Sequence, residues 1–385
     1  MFFYLYFFIT ILIYLVALPF LFLFSFKSKY KESIPARFFL WKNPPLKPDG
    51  IWFHTCSFGE AKAIRPLVDA LPQAKLRMTT TTQTGKSVID GYTQQSRYLP
   101  FESLLFGWMR PQKALVVMEA EFWYLLFALA KRRGAKTLLI NARMSEKSFP
   151  KYQRIGWLYR QIFNYIDEVY AQTDVDKARL ESLGAKNVVV TGNIKLAMLP
   201  KVTRRLVKPE GLVVCAASTH QREEVLVLES FLALKVKERD AKLIIVPRHP
   251  ERFAKVIEEV KVFAHKHGYD WHAFSQDKSF NTDITVVDKL GELVNIYAIS
   301  DVVVLGGAFE SIGGHNAAEA AQFGCKIISG PHYFNQKDIF AAIEGISIVE
   351  KEMLSRVLLS HTTLPETKIL YGSDISPILE SLRSL

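Results

Sequence analysis

Short apolar runs recur along most of the chain, and polar or helix-forming stretches separate them. The runs are rich in valine, isoleucine and leucine, which is typical of strands buried on both faces of a parallel sheet. The predicted strands cover residues 51–56, 76–81, 114–118, 137–140, 168–171, 187–191, 212–216, 243–246, 284–287, 302–305 and 325–329. Helical stretches, such as 61–71 and 122–131, lie between them. This alternation predicts an α/β protein with doubly wound sheets.

The alternation is interrupted once, near residues 200–209, where proline, lysine and arginine are frequent. It then starts again. A chain of 385 residues also exceeds what one hydrophobic core usually supports. We therefore predict two Rossmann-like domains, an N-terminal one over 27–205 and a C-terminal one over 206–385. The proline- and lysine-rich residues 33–50 are interpreted as a linker.

Residues 1–26 precede these domains and contain no charged side chain. About 20 such residues suffice to cross a bilayer as a helix. Lys27, Lys29 and Lys31 follow at once, and the positive-inside rule then places the rest of the chain in the cytoplasm. A cleaved signal peptide is the alternative, but no basic residue precedes the apolar run and no small-x-small site follows it. We predict a retained anchor helix, which either spans the bilayer or lies partly in it.

A glycine-rich stretch follows the predicted strand at 302–305. Gly306-Gly307 comes first, and Gly313-Gly314 opens an alanine-rich segment, predicted to be helical, that ends at Gly324. Strand, glycine loop, helix and strand in this order are typical of a nucleotide-binding crossover, in which loop N–H groups and a helix N-terminus face a phosphate. The alternative is a plain βαβ unit whose glycines only make turns.

Acidic residues stand at the predicted carboxyl ends of two strands in the N-terminal half. Glu60 follows the first strand, and Glu119 and Glu121 follow the strand at 114–118. Open α/β sheets bind their ligands at this edge, so these carboxylates are candidates for chemistry. For Glu60 the alternative is a carboxylate that only complements a helix dipole. Residues 79–87, TTTTQTGKS, end like a P-loop, but Thr80 stands where that motif needs glycine, which argues against an ATPase.

The net charge of +11 favours an anionic partner, which could be a nucleic acid, acidic lipid headgroups or a phosphorylated substrate. The chain has no recognisable nucleic-acid motif, so no nucleic-acid partner is predicted. Cys56, Cys215 and Cys325 lie far apart, which excludes a CxxC motif and argues against a disulfide framework. No residues have the sequence spacing of metal ligands, so no metal site is predicted.

Nine motifs then appear in one order along the chain, and together they resemble those of the 3-deoxy-D-manno-octulosonic acid (Kdo) transferases. They are SFGE (57–60), TTTTQTG (79–85), EAEFW (119–123), NARMSEKS (141–148), TGNIK (191–195), ASTHQREE (217–224), VPRHPERF (246–253), LGEL (290–293) and GGHNAAEAA (313–321). The resemblance covers essentially the whole chain, including the N-terminal anchor.

The resemblance implies a GT-B glycosyltransferase with two Rossmann-like domains that face each other across a cleft. Kdo would pass from CMP-Kdo to a lipid A precursor (lipid IVA) on the cytoplasmic face of the inner membrane, in lipopolysaccharide core biosynthesis. It also implies an inverting reaction that needs no metal and no cofactor besides the donor substrate. Anionic lipids of the inner membrane are expected as further partners. The number of Kdo units transferred and the oligomeric state stay open.

The resemblance gives Glu60 the role of general base, and it gives Lys195 and Glu121, or its neighbour Glu119, a role in stabilising the transition state. Arg248 would clamp the donor phosphate, because a guanidinium can bind its oxygens bidentately. Asn316 and Glu319 would read sugar hydroxyls or the cytosine. The full predicted donor site comprises Ser218, Thr219, Pro247, Arg248, His249, Gly291, Glu292, Leu293, Gly314, His315, Asn316, Ala317, Ala318 and Glu319.

The chain departs from the family pattern at three places. Tyr124 stands where proline is usual, Ala317-Ala318 replace a proline-bearing pair, and Leu196-Ala197 follow TGNIK in place of an aromatic-acidic pair. None of these removes a residue with an assigned role. Two other functions remain as alternatives: a membrane-anchored GT-B enzyme that uses a UDP sugar, and a non-catalytic basic module that binds lipid.

Overall fold

The computed structural model describes residues 2–27, 30–197 and 199–385, so Lys29 of the predicted basic flank lies outside the described residues. The chain forms two compact units. The first comprises the described residues up to 197 together with 371–385, and the second comprises 199–370. The sequence placed the boundary after residue 205 and assigned the C-terminus to the second domain, so the structure differs at both points.

A parallel sheet forms the centre of the first unit. Its strands are β1 (Ile51–Thr55), β2 (Leu76–Thr80), β3 (Ser96–Tyr98), β4 (Ala114–Met118), β5 (Lys136–Ala142), β6 (Glu168–Ala171) and β7 (Val188–Val190). The order is β3-β2-β1-β4-β5-β6-β7, and all neighbours are parallel. The strand order reverses between β1 and β4, which makes their carboxyl ends the topological switch point of a Rossmann-like sheet.

Helices connect these strands. They are α1 (Phe2–Phe24), α2 (Ser33–Phe38), α3 (Phe58–Ala63), α4 (Arg65–Asp69), α5 (Gln83–Ile89), α6 (Leu105–Trp108), α7 (Tyr124–Arg132), α8 (Phe149–Arg154), α9 (Gly156–Phe163) and α10 (Asp174–Ser182). The linker predicted over 33–50 therefore contains a helix, α2, because its SIPARF segment buries Ser33 and Ala36.

The second unit repeats this plan. Its strands are β8 (Val213–Thr219), β9 (Lys242–Pro247), β10 (Trp271–Ala273), β11 (Ile284–Val286), β12 (Val302–Leu305), β13 (Lys326–Ser329), β14 (Ile343–Glu344), β15 (Ser347–Ile348) and β16 (Lys368–Ile369). Its helices are α11 (Glu223–Lys237), α12 (Phe253–His267), α13 (Leu293–Tyr297), α14 (Ala318–Ala321), α15 (Lys337–Ala341) and α16 (Leu354–Leu359). The parallel sheet has the order β10-β11-β9-β8-β12-β13-β15, so its switch point lies between β8 and β12.

The sheet of the first unit is covered on both faces, as its continuous apolar strands predict. Alternate residues of one strand point to opposite faces. Trp52 and Val117 belong to one apolar cluster, whereas Phe53 and Val116 belong to the other. Each fully buried side chain of this size contributes roughly 1.5–3 kcal/mol, so the two layers hold the switch-point ends in place.

The last helix, α17 (Ser376–Arg383), completes the second of these layers. Its Ile378 and Leu382 are buried in the cluster of Phe53, and the Tyr170 hydroxyl donates to the carbonyl oxygen of Pro377 at 3.3 Å. The sequence shows that this helix has an apolar face but not which core that face covers, which explains the difference from the predicted domain limits.

Helix α1 is long and apolar enough to cross a membrane, with a mean hydropathy of 2.7 over its most apolar window. Most of its large side chains are exposed, but its first turns contact the first unit. Tyr6 donates to Glu102 at 2.7 Å, Tyr14 donates to the Phe38 carbonyl at 2.5 Å, and Phe2 packs edge-on against Tyr124. The helix is therefore partly docked on the globular unit.

Candidate functional site

Two strand ends at the switch point of the first unit bring the predicted acidic residues together. β1 pairs with β4 through His54 and Val117, so the chain leaves the sheet at neighbouring positions after Thr55 and after Met118. Glu60 follows the first end, and Glu119 and Glu121 follow the second. The charges of both Glu119 and Glu121 act on the Glu60 carboxyl, so both glutamates belong to this cluster.

Glu60 lies in the first turn of α3, where the backbone and Ser57 hold both of its carboxylate oxygens. The Cys56 N–H donates to Oε2 at 2.7 Å, and the Ser57 hydroxyl donates to Oε1 at 2.8 Å. In return Ser57 caps the helix by accepting from the Glu60 N–H at 3.2 Å. The arrangement is a variant of the capping box, in which the carboxylate accepts from the N–H of Cys56, the residue before the cap. Glu60 is buried, and burial raises its pKa, although the hydrogen bonds from Cys56 and Ser57 act in the opposite direction.

Glu119 forms an ion pair with Lys195, and the sequence analysis named both residues as candidates. Lys195 Nζ lies 3.0 Å from Glu119 Oε1, and Asn141 Nδ2 donates to the same oxygen at 3.4 Å. Glu119 has a φ of 60° and Asn141 a φ of 51°, a left-handed backbone that costs energy for residues other than glycine. Asn141 also accepts from the Ile194 N–H at 3.0 Å. It therefore holds the segment that carries Lys195, a role that the sequence analysis missed.

Glu121 contacts a second group that the sequence analysis did not predict. A ring nitrogen of His54, the Sγ of Cys56 and a carboxylate oxygen of Glu121 all lie within 4.8 Å of one another. Burial lowers the pKa of His54 to about 3 and raises the pKa of the Cys56 thiol, so both side chains are neutral. The guanidinium of the half-buried Arg37 acts electrostatically on Cys56 and Glu121. Spacing alone could not reveal this cluster, because Glu121 lies 65 residues after Cys56 in the chain.

In the second unit the glycine loop after β12 surrounds a buried glutamate. The Glu223 carboxylate accepts from the N–H groups of Gly307 at 2.9 Å, Phe309 at 3.2 Å and His220 at 2.9 Å. A Cβ at Gly306 would lie 2.7 Å from this carboxylate, so glycine is required there. The sequence pattern assigned such N–H groups to a phosphate. In the structure several of them bind Glu223, which the sequence analysis quoted within a motif but did not assign to the site.

Two stacked histidines lie beside this loop. His220 Nε2 and His315 Nε2 are 2.9 Å apart, so one ring donates and the other accepts. Burial lowers the pKa of His315 to about 4, with His220 and the Arg248 guanidinium acting in the same direction, and burial also lowers the pKa of His220. His249 packs edge-on against His220, with ring centroids 5.3 Å apart. The structure thus brings three predicted residues, His249, His315 and Arg248, together with His220, which was missed.

The alanine-rich segment is less helical than predicted. Gly313 and Gly314 have φ values of 115° and 79°, and both donate to the Gly307 carbonyl, so the two glycine pairs form one hairpin-like loop. Helix α14 begins only at Ala318, where Asn316 Oδ1 caps it by accepting from the Ala318 N–H at 3.0 Å. The prediction of a helix beginning near Gly314 is therefore wrong. The prediction rested on the helix propensity of the alanines alone. A glycine with left-handed backbone angles cannot be part of a right-handed helix, so the helix begins only after Gly314.

Asn316 and Glu319 do lie on one face, as predicted, since Asn316 Nδ2 is 3.4 Å from Glu319 Oε1. Burial raises the pKa of Glu319, whereas Asn316 and the positive charge of Arg248 lower it. Ala317 and Ala318 are buried beneath them. These residues therefore form a polar rim next to the histidine pair.

The remaining predicted donor residues fall into two groups. Ser218 and Thr219 end β8, Pro247 ends β9, and Thr219 accepts the Arg248 N–H through its carbonyl at 3.1 Å. Ser218 has a φ of 54°, and the buried Thr219 Oγ1 has no hydrogen-bond partner among the described residues. A buried hydroxyl without a hydrogen-bond partner is uncommon in folded proteins.

Gly291, Glu292 and Leu293 form the second group, at the turn into α13, which packs against α14. The Glu292 carboxylate accepts from Arg204 at 3.0 Å and from Asn295 at 3.0 Å. Burial alone would raise the pKa of Glu292, but these hydrogen bonds lower it. Its side chain holds the segment that enters the second unit.

The chemistry of the two sites is complementary. The first offers a buried carboxylate with a raised pKa beside an acidic and a basic group, which suits proton transfer. The second offers neutral histidines, an arginine and a free hydroxyl at a switch point, which suits the phosphate of a nucleotide. Two Rossmann-like units with such sites define a nucleotide-sugar glycosyltransferase of the GT-B class.

Comparisons with known proteins agree with this class. A model of the family 3-Deoxy-D-manno-octulosonic-acid transferase (kdotransferase) matches residues 32–198. A 3-deoxy-D-manno-octulosonic acid transferase of Haemophilus influenzae is 32% identical over 336 residues, which cover 81% of this chain and 78% of that protein. One of Bordetella pertussis is 32% identical over 312 residues, which cover 75% of this chain and 72% of that protein.

Among solved structures, the UDP-GlcNAc 2-epimerase of Neisseria meningitidis bound to UDP-GlcNAc covers 87% of this chain and 100% of its own, with a TM-score of 0.51 and 14% identity. That likeness concerns the fold alone. The sequence relatives establish more: this chain belongs to the 3-deoxy-D-manno-octulosonic acid transferase family and is a glycosyltransferase. The predictions of the family, the GT-B fold class and an enzyme are confirmed, and the non-catalytic module is excluded.

Proposed function

We propose that this enzyme transfers Kdo from CMP-Kdo to a lipid A precursor, lipid IVA, with Glu60 as the general base. The observation that carries the proposal is the Glu60 carboxylate, which is buried at the switch point of the first unit in a chain of this family. An acceptor hydroxyl must lose its proton as its oxygen attacks the anomeric carbon. A fixed carboxylate of raised pKa within hydrogen-bond reach can accept that proton.

The proposed reaction is an inverting displacement. The acceptor oxygen forms a bond to the anomeric carbon, the bond from that carbon to the CMP phosphate breaks, and the proton moves to Glu60. Positive charge grows on the sugar and negative charge on the departing phosphate. The Glu119–Lys195 pair and Glu121 would stabilise the transition state, since fixed charges act strongly in a partly dry site.

Donor binding is assigned to the second unit. Arg248 is exposed at the end of β9, and it can bind phosphate oxygens with its guanidinium. His220 and His315 can each donate a ring N–H once a phosphate replaces their mutual hydrogen bond. Asn316 and Glu319 are the proposed contacts of the sugar or the cytosine. The protein groups suffice for the leaving phosphate in this proposal, which requires no metal and no cofactor besides the donor.

The proposed location is the inner membrane, with α1 as the anchor and both units on the cytoplasmic face. A cavity of about 400 Å³ is lined by residues that follow the anchor, including Lys31, Lys42 and the exposed Trp41, together with Lys86 and Arg97. Lysine and arginine near a bilayer are attracted to anionic lipid, and tryptophan favours the interface. These features support anionic lipids and a phosphorylated acceptor as partners.

The test is transfer from CMP-Kdo to lipid IVA by the intact protein and by Glu60→Gln. Glutamine can still accept from the Cys56 N–H and donate to Ser57, so it preserves the cap while removing the base. We expect the rate to fall by roughly a hundredfold or more with little change in thermal stability. Glu181→Gln, an exposed site on α10 with the same loss of charge, is the matched control.

Three other outcomes would contradict parts of the proposal. Activity that persists in Glu60→Gln would leave Glu60 as a helix cap and assign the base elsewhere. Binding of UDP in preference to CMP would favour the alternative donor. If the intact protein neither transferred Kdo nor bound CMP, both the donor and the reaction would be wrong.

A further inference from the structure

We propose that His54, Cys56 and Glu121 form a binding site for a thiophilic divalent cation, best matched by Zn²⁺, and that its occupation inhibits transfer. Imidazole, thiolate and carboxylate are the three ligand types that zinc prefers, and three protein ligands with one open position are a common zinc arrangement. Binding of the cation is independent of the proposed function, whereas the inhibition rests on the roles proposed above for Glu60 and Glu121.

The distances suit such a site. The candidate ligand atoms lie within 4.8 Å of one another, and Cys56 Sγ is 3.5 Å from His54 Nε2. Zinc bonds of about 2.0–2.3 Å in a tetrahedron place neighbouring ligand atoms roughly 3.3–3.7 Å apart. The histidine and cysteine already meet this spacing, and the carboxylate needs a movement of about 1 Å, well within the freedom of a glutamate side chain.

The residues around the ligands orient them as in known metal sites. His54 Nδ1 lies 3.2 Å from the Thr79 carbonyl oxygen and 2.9 Å from Thr79 Oγ1. Donation to that carbonyl places the proton on Nδ1 and leaves the Nε2 lone pair directed at the cluster. Histidines that bind metals almost always donate their other ring N–H in this way. Trp123 Nε1 donates to Glu121 Oε2 at 2.7 Å and so orients the carboxylate as well.

The charge of the surroundings is also suitable. The carboxylates of Glu119 and Glu60 lie near the cluster in addition to that of Glu121. A divalent ion would displace the thiol proton of Cys56 to solvent, and these carboxylates would help to offset its positive charge.

Inhibition follows from the position of the cluster. Coordination would occupy the Glu121 carboxylate and would restrain Cys56, whose N–H donates to Glu60 at 2.7 Å. Both changes act on groups assigned to transfer.

The experiment is a Co²⁺ titration of the full chain in detergent, since tetrahedral cobalt gives visible bands and a thiolate ligand adds a near-ultraviolet charge-transfer band. We expect one equivalent of cobalt to produce both, and Zn²⁺ to remove them. Cys56→Ala should lose the charge-transfer band, and Glu121→Gln should bind at least tenfold more weakly. Cys215→Ala and Cys325→Ala, which remove the other two thiols, should retain the band.

A band that survived in Cys56→Ala, or no band from the intact chain at an excess of Co²⁺, would overturn the proposal. For inhibition, the rate with Zn²⁺ is divided by the rate of the same protein with a chelator, so that changes in basal activity cancel. For the intact protein, the rate with Zn²⁺ should be at least tenfold lower than the rate with the chelator. For Cys56→Ala, the difference between the two rates should be smaller. Equal sensitivity of the two proteins would contradict the site.

Discussion

In both units a glutamate near the start of a helix directs its carboxylate back to the backbone at a strand end. Glu60 accepts from the Cys56 N–H, and Glu223 accepts from the His220 N–H. The two differ in their other partners. Glu223 also accepts from N–H groups of the glycine loop, whereas among the described residues the other donor to Glu60 is the hydroxyl of Ser57. One carboxylate therefore holds a loop, and the other keeps acceptor capacity for a proton.

Glu223→Ala is expected to destabilise the second unit by about 3 kcal/mol, because several buried N–H groups lose their acceptor. Glu223→Gln should cost less, since its amide oxygen retains part of the acceptor capacity. Chemical denaturation of the two variants checks this order. A loss in Glu223→Ala below that of an exposed control, Glu366→Ala, would contradict the assigned role.

CMP binding is expected to take up protons at the His220–His315 pair. The pKa of His315 is about 4 without ligand, and a bound phosphate must raise it, because opposite charge favours the protonated form. Affinity for CMP should therefore increase as the pH falls from 8 to 6. Calorimetry in buffers of different ionisation enthalpy measures the uptake, and His315→Gln should reduce it. Binding without proton uptake would exclude the pair from the phosphate site.

At the scale of elements, α1 is both an apolar helix of membrane-spanning length and a part of the first unit. Phe3 is buried in the core cluster that contains Trp52, and Tyr6 donates to the buried Glu102. Glu102 also accepts from the Leu125 N–H at 2.8 Å, at the start of α7. This one carboxyl therefore connects α1 to a core helix.

Glu102 should make stability depend on pH. Burial raises its pKa to about 7, above its ordinary value of 4.5, so the folded protein holds a proton that the unfolded chain has lost between these values. The protonated Glu102 carboxyl contributes its full share to the free energy of unfolding below about pH 4.5. This contribution is lost as the pH rises through 7, by at most about 1.4 kcal/mol per pH unit. Unfolding of the intact protein and Glu102→Gln across this range measures it. The difference between the two should vary with pH, and a constant difference would contradict the assignment.

At the scale of the whole molecule, the net charge of +11 suits work at an anionic surface. Part of this charge lines the cavity of Lys31, Lys42, Lys86 and Arg97, next to the anchor in the chain. A positive cavity at this position would concentrate a phosphorylated acceptor, and its effect should weaken with salt.

The KM for lipid IVA in anionic vesicles is therefore expected to rise with ionic strength. Lys31→Gln with Lys42→Gln should raise KM roughly thirtyfold at low salt and flatten the salt dependence, since each lysine near such a surface contributes about 1 kcal/mol. Lys255→Gln with Lys261→Gln removes the same charge from α12 and should have no such effect. If both double variants behaved alike, net charge would matter and the cavity would not.

Several features could be predicted from the sequence because their causes are local. The strands at 114–118, 168–171 and 302–305 match β4, β6 and β12 residue by residue, since short apolar runs of this kind are typical of buried strands. The proximity of the carboxylates after β1 and β4 could also be predicted, because parallel strands end at one edge of a sheet. The short strands β3 and β10 were missed, since SRY and WHA carry no such pattern.

The sequence by itself determined the family, the two doubly wound sheets and the acidic residues at the strand ends of the first unit, since these depend on hydrophobic pattern and motif order. Only the tertiary structure decided which partners those residues meet. Three contacts join segments that lie far apart in the chain. They are the hydrogen bonds of Glu223 to the glycine loop, the ion pair of Glu119 with Lys195, and the cluster of His54, Cys56 and Glu121. The return of α17 to the first unit is of the same kind, because an apolar helix face is a local property and the core it covers is not.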